Sequence, residues 1–167
     1  HYNIIKTLNR RREFETNKNI LIVREQGVGD EILFSSIYND LIKNNFSKIK
    51  IECDKRLLEI FNRSFNKKIF YPFGHYSSSN KTLQEFDNIL YAGSLTKYFR
   101  NEESDFDIEP YIKTSDKLDK KFNSILKKFN DKKKIGISWK SVFNIFGSLK
   151  SLELNNFNKL YNQDRIF

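Results

Sequence analysis

A strand-like run that leads directly into a helix-like run, with the residues EQGVGD between them, constrains the fold of this chain more than any other feature. The run NILIVR, Asn19 to Arg24, contains a continuous apolar stretch, as is typical of a strand buried on both faces. After the loop, apolar residues recur at the spacing of one helix face, at Ile32, Leu33, Ile37, Leu41 and Ile42. A strand buried on both faces needs helices above and below it, so this pair predicts a βα unit of a parallel sheet.

Further strand-like segments follow at intervals and alternate with helical patterns. They are KIKIEC at Lys48–Cys53, KKIFY at Lys67–Tyr71, FDNILYAG at Phe86–Gly93 and KKIGISWK at Lys133–Lys140. Asp54 is placed to cap a helix after the second strand, and a final helix is expected near Leu154. The order predicts an α/β fold, with a Rossmann-like parallel sheet flanked by helices. In such sheets ligands gather at the carboxyl ends of the strands, which is where EQGVGD lies.

Composition narrows the class of protein. Hydrophobic residues make up 38% of the chain, enough for a folded core, and no apolar run approaches the length of a membrane span. No secretion signal opens the chain, and Cys53 has no second cysteine to pair with, so we expect a cytoplasmic location. The chain starts at His1, contains no methionine and stops where a new strand begins. We therefore expect it to be a piece of a longer protein.

The formal charge of +9 raises the question of nucleic-acid binding. Lysines outnumber arginines 22 to 8, whereas base readout and bidentate phosphate contacts favour arginine. Many of the lysines lie in the segment 119–134, around apolar residues at helical spacing. They are typical of the solvated face of an amphipathic helix, which disfavours a nucleic-acid partner.

Asp30 has two interpretations. The acid stands at the start of the helix after the loop, where its carboxylate can cap free backbone amides. At the ligand-binding edge of a parallel sheet the same carboxylate could act as a general base. Gly27 and Gly29 are expected to supply positive φ angles or a close backbone approach, although the third glycine of a dinucleotide fingerprint is missing.

Other polar residues carry weaker signals. Asp105 and Asp107 lie in an acidic linker, and His75 lies in a polar loop. Trp139 ends a predicted strand, where a packing residue and a stacking platform are both open interpretations. No cysteine–histidine set suggests a metal site, and we expect none. Lys150 precedes the expected final helix, where a lysine can hold a phosphate.

Five segments, taken in order, resemble one family. They are EQGVGDEILFSS, IECDKRLLEIFNRSF, GSLTKYFR, KIGISWKS and KSLELNNF. Their order resembles the glycosyltransferase family 9-like (heptosyltransferase-like) domain that is fused to tetratricopeptide repeats in bacterial proteins. The resemblance covers about residues 15 to 163.

The resemblance implies a GT-B fold, in which two Rossmann-like domains enclose the active cleft. Residues 1–115 would then be the acceptor-side domain, 116–132 a linking helix, and 133–167 the truncated beginning of the donor-side domain. The implied reaction is metal-independent sugar transfer, with inversion, from a nucleotide-sugar to a hydroxyl acceptor on a sugar, a lipid-linked glycan or a protein. No cofactor is implied beyond the nucleotide-sugar co-substrate.

The resemblance also assigns roles to residues. Asp30 would be the catalytic base, and Gln26, Gly27, Val28 and Gly29 would contact the substrate. Lys150, Ser138 and Lys140 would hold the donor phosphates. The family's Trp-Pro pair after the lysine is replaced here by Leu152 and Glu153. A chain without a complete donor domain is expected to be inactive alone, and a non-catalytic carbohydrate- or protein-binding domain of the same architecture is the alternative.

Overall fold

The chain forms two compact units, His1–Ser115 and Asp116–Phe167, in the computed structural model. The structure describes residues 17–106, 109–141, 146–160 and 165–166. The run YNIIKTLNRRREFETNK, residues 2–18, predicts a short helix with a basic end, and it lies almost entirely outside the described residues.

The first unit is built on a four-stranded sheet in the order β3-β2-β1-β4. The strands are β1 (Asn19–Val23), β2 (Lys48–Cys53), β3 (Phe70–Pro72) and β4 (Asn88–Tyr91). All three pairings are parallel, with Ile20 opposite Ile49 on β2 and Asn88 on β4. The predicted α/β class with a Rossmann-like sheet is confirmed.

Helices connect these strands. The connection from β1 to β2 is α1 (Val28–Phe34), a 3-10 turn (Ser35–Ile37) and α2 (Tyr38–Lys43), rather than the single helix expected. Helix α3 (Leu58–Phe65) follows β2 and ends at Asn66, which has a φ of 49°. Helix α4 (Asn80–Leu83) precedes β4, and a 3-10 turn (Ala92–Leu95) with α5 (Thr96–Phe99) follows it.

Apolar side chains cover both faces of the sheet. On one face, four aromatic rings, Tyr38, Phe61, Phe65 and Phe70, pack with centroids 5.4 to 6.0 Å apart. The other face is smaller and is formed by Leu21, Val23, Leu83, Phe86 and Ile89. Leu33 was expected on the buried helix face, but its side chain is 65% exposed. Helix α1 buries the face that contains Glu31 instead.

The second unit contains α6 (Asp116–Leu126), a 3-10 turn (Lys127–Phe129) and two short parallel strands, β5 (Lys133–Lys134) and β6 (Arg165–Ile166). The strand expected over Lys133–Lys140 is therefore shorter than predicted, because only its first two residues pair with β6. The helix expected near Leu154 is a 3-10 helix, Leu154–Leu160. Among the described residues, no helix is long and apolar enough to cross a membrane.

Two leucines of the first unit form a matched test of the core. Leu41 is fully buried and Leu33 is mostly exposed. We expect Leu41→Ala to lower the free energy of unfolding by about 2–5 kcal/mol, because it removes buried methyl groups and leaves a cavity. Leu33→Ala should change it by less than about 0.5 kcal/mol. Urea denaturation measures both variants, and equal losses would contradict the assigned helix face.

Candidate functional site

The candidate site lies at the carboxyl edge of the sheet, where β1, β2 and β4 end. Strand β1 lies between β2, the next strand along the chain, and β4, which the chain reaches only after β3. The β1–β2 connection packs on the larger core, whereas Leu83, on the way to β4, packs on the opposite face. The boundary between β1 and β4 is therefore the topological switch point, where open α/β sheets bind ligands.

The turn after β1 depends on a glutamine rather than on the glycines. Gln26 has a φ of 60°, whereas Gly27 caps α1 with a φ of −96° and Gly29 lies within the helix. Of the two roles expected for Gly27 and Gly29, positive φ is wrong, whereas Gly27 does allow a close approach. The residue with positive φ is Gln26, one position before Gly27. Its carbonyl accepts a hydrogen bond from Arg24 Nη2 at 2.9 Å.

The Asp30 carboxylate binds a backbone amide at the start of helix α1. Its Oδ2 accepts a hydrogen bond from the Gly27 backbone N–H at 3.0 Å. The side chain is half-buried on the first turn of the helix. A Cβ at position 27 would lie 3.3 Å from the same Oδ2, so the glycine leaves room for this contact. Gly27 rather than Asp30 is the N-cap, but the expected contact of the Asp30 carboxylate with a free backbone amide is confirmed. The role as a general base stays a prediction.

Glu31, which the sequence patterns did not single out, is the central buried acid of the site. Its side chain is 1% exposed, with Oε1 2.8 Å from Arg24 Nη2. Its Oε2 accepts the Asp54 backbone N–H at 2.8 Å. Burial is the largest cause that raises the pKa of Glu31, against the lowering effects of the Asp54 amide and Arg24. The signal in the sequence was its helical spacing to Ser35 and Tyr38, which are also buried.

Asp54 connects this network to the end of β2. Arg24 Nη1 lies 3.2 Å from its Oδ2, and Arg56 Nε donates to its Oδ1 at 2.8 Å. Hydrogen bonds from the Arg56 side chain and backbone hold the pKa of the Asp54 carboxyl well below its ordinary value. The expected cap is formed on a turn before α3, because Oδ1 accepts the Arg56 N–H.

Glu25 bridges the ends of β1 and β4. Its Oε1 accepts a hydrogen bond from the Gly93 backbone N–H at 3.0 Å. A Cβ at position 93 would overlap that oxygen and lie 3.1 Å from Phe34 Cζ. Gly93 is therefore required by this close approach, and the Glu25 side chain lies across the switch point.

A second buried acid, Glu52, fixes the loop after β3. The Tyr76 and Ser77 backbone N–H groups donate to its Oε1 at 2.6 and 2.9 Å, and Ser77 Oγ donates to Oε2 at 2.5 Å. His75 in this loop stacks on Tyr71, with ring centroids 4.9 Å apart.

In the second unit, the predicted donor-side residues lie on two adjoining segments. The Leu152 N–H donates to the Trp139 carbonyl at 2.8 Å, and the Ser141 N–H donates to Ser151 Oγ at 2.9 Å. Ser138, Lys140 and Lys150 lie on or beside these segments and are exposed. Lys150 ends a 3-10 turn, and the segment after it is 3-10 rather than α-helical.

Three described cavities lie elsewhere in the first unit. The widest, about 600 Å³, is lined by Asn62, Asn66, Lys67, Lys68, Phe70 and Tyr71. A smaller one of about 90 Å³ is lined in part by Arg100 and Asp40, whose side chains are paired at 2.9 Å. The predicted site residues line neither of these, nor the third cavity beside Tyr98.

Other residues singled out in the sequence have local roles. Asp105 Oδ2 accepts the backbone N–H groups of Asn101 and Glu102, which makes it a cap, and Asp107 lies outside the described residues. Within the described ranges, no group of three or more histidine, cysteine or acidic side chains could hold a metal ion.

Comparison with protein-family models, curated proteins and solved structures finds no match to this chain.

The Arg24–Glu31 pair can be tested by restoring neutrality. Arg24→Met leaves a buried carboxylate without its cation, and we expect it to lower the free energy of unfolding by about 3 kcal/mol. The double variant Arg24→Met/Glu31→Gln should recover most of this loss, because glutamine keeps an acceptor for the Asp54 N–H without a charge. Chemical denaturation measures both. No recovery in the double variant would show that the arginine acts through another contact.

Asp54 gives a pH dependence. Its folded pKa is lowered, so the unfolded chain takes up this proton first, near the ordinary value of 3.8. The stability from Asp54 is therefore complete above that pH and is lost as the pH falls below it. We expect the stability advantage of the wild type over Asp54→Asn to be constant above about pH 5 and to shrink from about pH 5 to about pH 2.5 in urea titrations. Glu59→Gln, at a side chain that is 90% exposed, is the control. An advantage independent of pH would contradict this assignment.

Proposed function

We propose that the first unit is the acceptor-side domain of an inverting, metal-independent glycosyltransferase of the heptosyltransferase-like, GT-B type. It would move a sugar from a nucleotide-sugar to a hydroxyl acceptor, as part of a longer cytoplasmic protein that also carries tetratricopeptide repeats. The observation that supports this most is the position of Asp30, on the first helical turn after the central strand, at the carboxyl edge of a parallel sheet.

The chemistry proposed for Asp30 follows from how its carboxylate is held. Gly27 N–H binds Oδ2 and fixes the orientation of the group. Oδ1 has no hydrogen-bond partner among the described residues and would accept the proton of the acceptor hydroxyl. The hydroxyl oxygen would then attack the anomeric carbon as the bond to the nucleoside diphosphate breaks, and the leaving group would carry away the negative charge.

The donor side of the proposal rests on the second unit. Lys150, Ser138 and Lys140 are exposed and lie on or beside adjoining segments, so phosphate oxygens could approach them. Lysine can neutralise a phosphate as a point charge. Gln26, Gly27, Val28 and Gly29 would contact the acceptor through the turn that Arg24 holds in place.

A non-catalytic domain that binds a carbohydrate or a protein is the second candidate. The capping contact of Asp30 favours it, because that contact explains the carboxylate without any reaction. The lack of an α-helix directly after Lys150 in the described part of the second unit favours it as well. Both candidates place the ligand at the same edge of the sheet.

Asp30→Asn separates the two roles, since asparagine can still accept the Gly27 N–H but is not a base. In the full natural protein we expect sugar transfer to fall by a factor of about 10²–10⁴ with little loss of stability. Asp116→Asn, which changes an exposed first-turn acid of α6, is the matched control and should leave transfer unchanged. Radiolabelled sugar transfer and thermal unfolding measure the two effects. Normal turnover by Asp30→Asn would remove the catalytic role.

A further inference from the structure

Glu25 occupies the switch point more directly than Asp30 does. Glu25 lies just after the end of β1. Its Oε1 accepts a hydrogen bond at 3.0 Å from the backbone N–H of Gly93, which is the second residue of the 3-10 turn after β4. The overlap that a Cβ at position 93 would cause shows how closely the carboxylate lies on the β4 backbone. The side chain therefore starts from the end of β1 and is held by one hydrogen bond to the backbone that follows β4.

Glu25 also keeps one oxygen available. Within the described part of the chain, its hydrogen bond involves Oε1, and Oε2 has no partner. The side chain is half-buried, and Oε2 is not one of the described buried atoms that lack a hydrogen-bond partner. Asp30 has the same arrangement, with one oxygen bound to a backbone N–H and the other without a described partner. A carboxylate oxygen held in this way accepts a hydrogen bond from a hydroxyl or an ammonium group.

The charges around these two acids restrict the ligand. Arg24 is paired with Glu31 and Asp54, and Arg56 is paired with Asp54. Neither Glu25 nor Asp30 has an ion pair among the described residues. Four acids at this edge, Glu25, Asp30, Glu31 and Asp54, outnumber the three cations Arg24, Lys55 and Arg56, although the formal charge of the chain is +9. A phosphate or carboxylate placed here would meet like charges, which is unfavourable.

We propose that Glu25 is a second acceptor-binding residue at the β1–β4 boundary, and that the acceptor it selects is a neutral or amino-bearing polyhydroxyl compound rather than a phosphorylated one. This inference rests on the proposed function for the identity of the acceptor as a hydroxyl compound. Glu25 Oε2 accepts one acceptor hydroxyl or ammonium group, and Asp30 accepts the hydroxyl that reacts.

Binding to immobilised glycans tests the inference, with neutral hexose oligosaccharides, glucosamine oligosaccharides and hexose phosphates as probes. We expect the wild type to bind the neutral or the glucosamine probes. Glu25→Gln should weaken that binding about tenfold, because a hydrogen bond to a charged acceptor is stronger than one to an amide. The amide oxygen of the new side chain can still accept the Gly93 N–H, and thermal unfolding checks that the variant is folded. Glu59→Gln, at a side chain that is 90% exposed, is the control and should bind as the wild type does.

Three results would overturn the inference: wild-type preference for hexose phosphates, no binding of any probe, or unchanged binding by folded Glu25→Gln. A transfer assay with the full natural protein separates this inference from the proposed function. If Asp30→Asn abolishes transfer while Glu25→Gln leaves the acceptor KM unchanged, the proposed glycosyltransferase activity is supported and the proposed role of Glu25 is rejected. If no nucleotide-sugar supports transfer but glycan binding depends on Glu25, the proposed binding site is supported and the proposed enzymatic activity is rejected.

Discussion

The burial of four of the five residues of β1 is the constraint on which the first unit depends. Ile20, Leu21, Ile22 and Val23 are fully buried between two layers of side chains. A strand with no exposed face can end only where the chain reaches polar surroundings, and here that transition occurs within one residue, from Val23 to Arg24. The charged groups that follow are therefore concentrated at the strand's carboxyl end, next to the ends of β2 and β4.

Paired charges shape most of that edge, and Gly93 is required there by the close approach of Glu25. Arg24 contacts an acid on α1, an acid after β2 and the carbonyl of Gln26. Removal of a half-buried arginine that satisfies so many groups would leave several of them unpaired, whereas replacement of one surface lysine would not. This ion pair holds helix α1 through Glu31, which is the neighbour of Asp30 in the sequence.

The sequence predicted the architecture better than it predicted the site. Helical and strand spacing located β1, β2 and β4, because burial of apolar residues imposes those periods. Glu31 was missed because a buried acid breaks the apolar pattern, and its partners lie seven residues before it and more than twenty residues after it. Glu25 was missed because its partner, Gly93, is brought near only when β4 pairs with β1. The division of the predicted helix after Asp30 depends on local backbone geometry that periodicity does not encode.

The hydrogen bonds of Glu52 determine which residues of the loop after β3 can be substituted. Glu52 holds this loop through two backbone N–H groups and one hydroxyl. Any residue except proline supplies a backbone N–H, so most loop side chains can be exchanged without loss of the anchor. Among the described residues, only Ser77 donates a side-chain hydrogen bond to Glu52. Because Glu52 holds the loop mainly through its backbone, most loop side chains can change while the backbone keeps its conformation. This edge of the sheet can therefore change the ligands it binds without a change of fold.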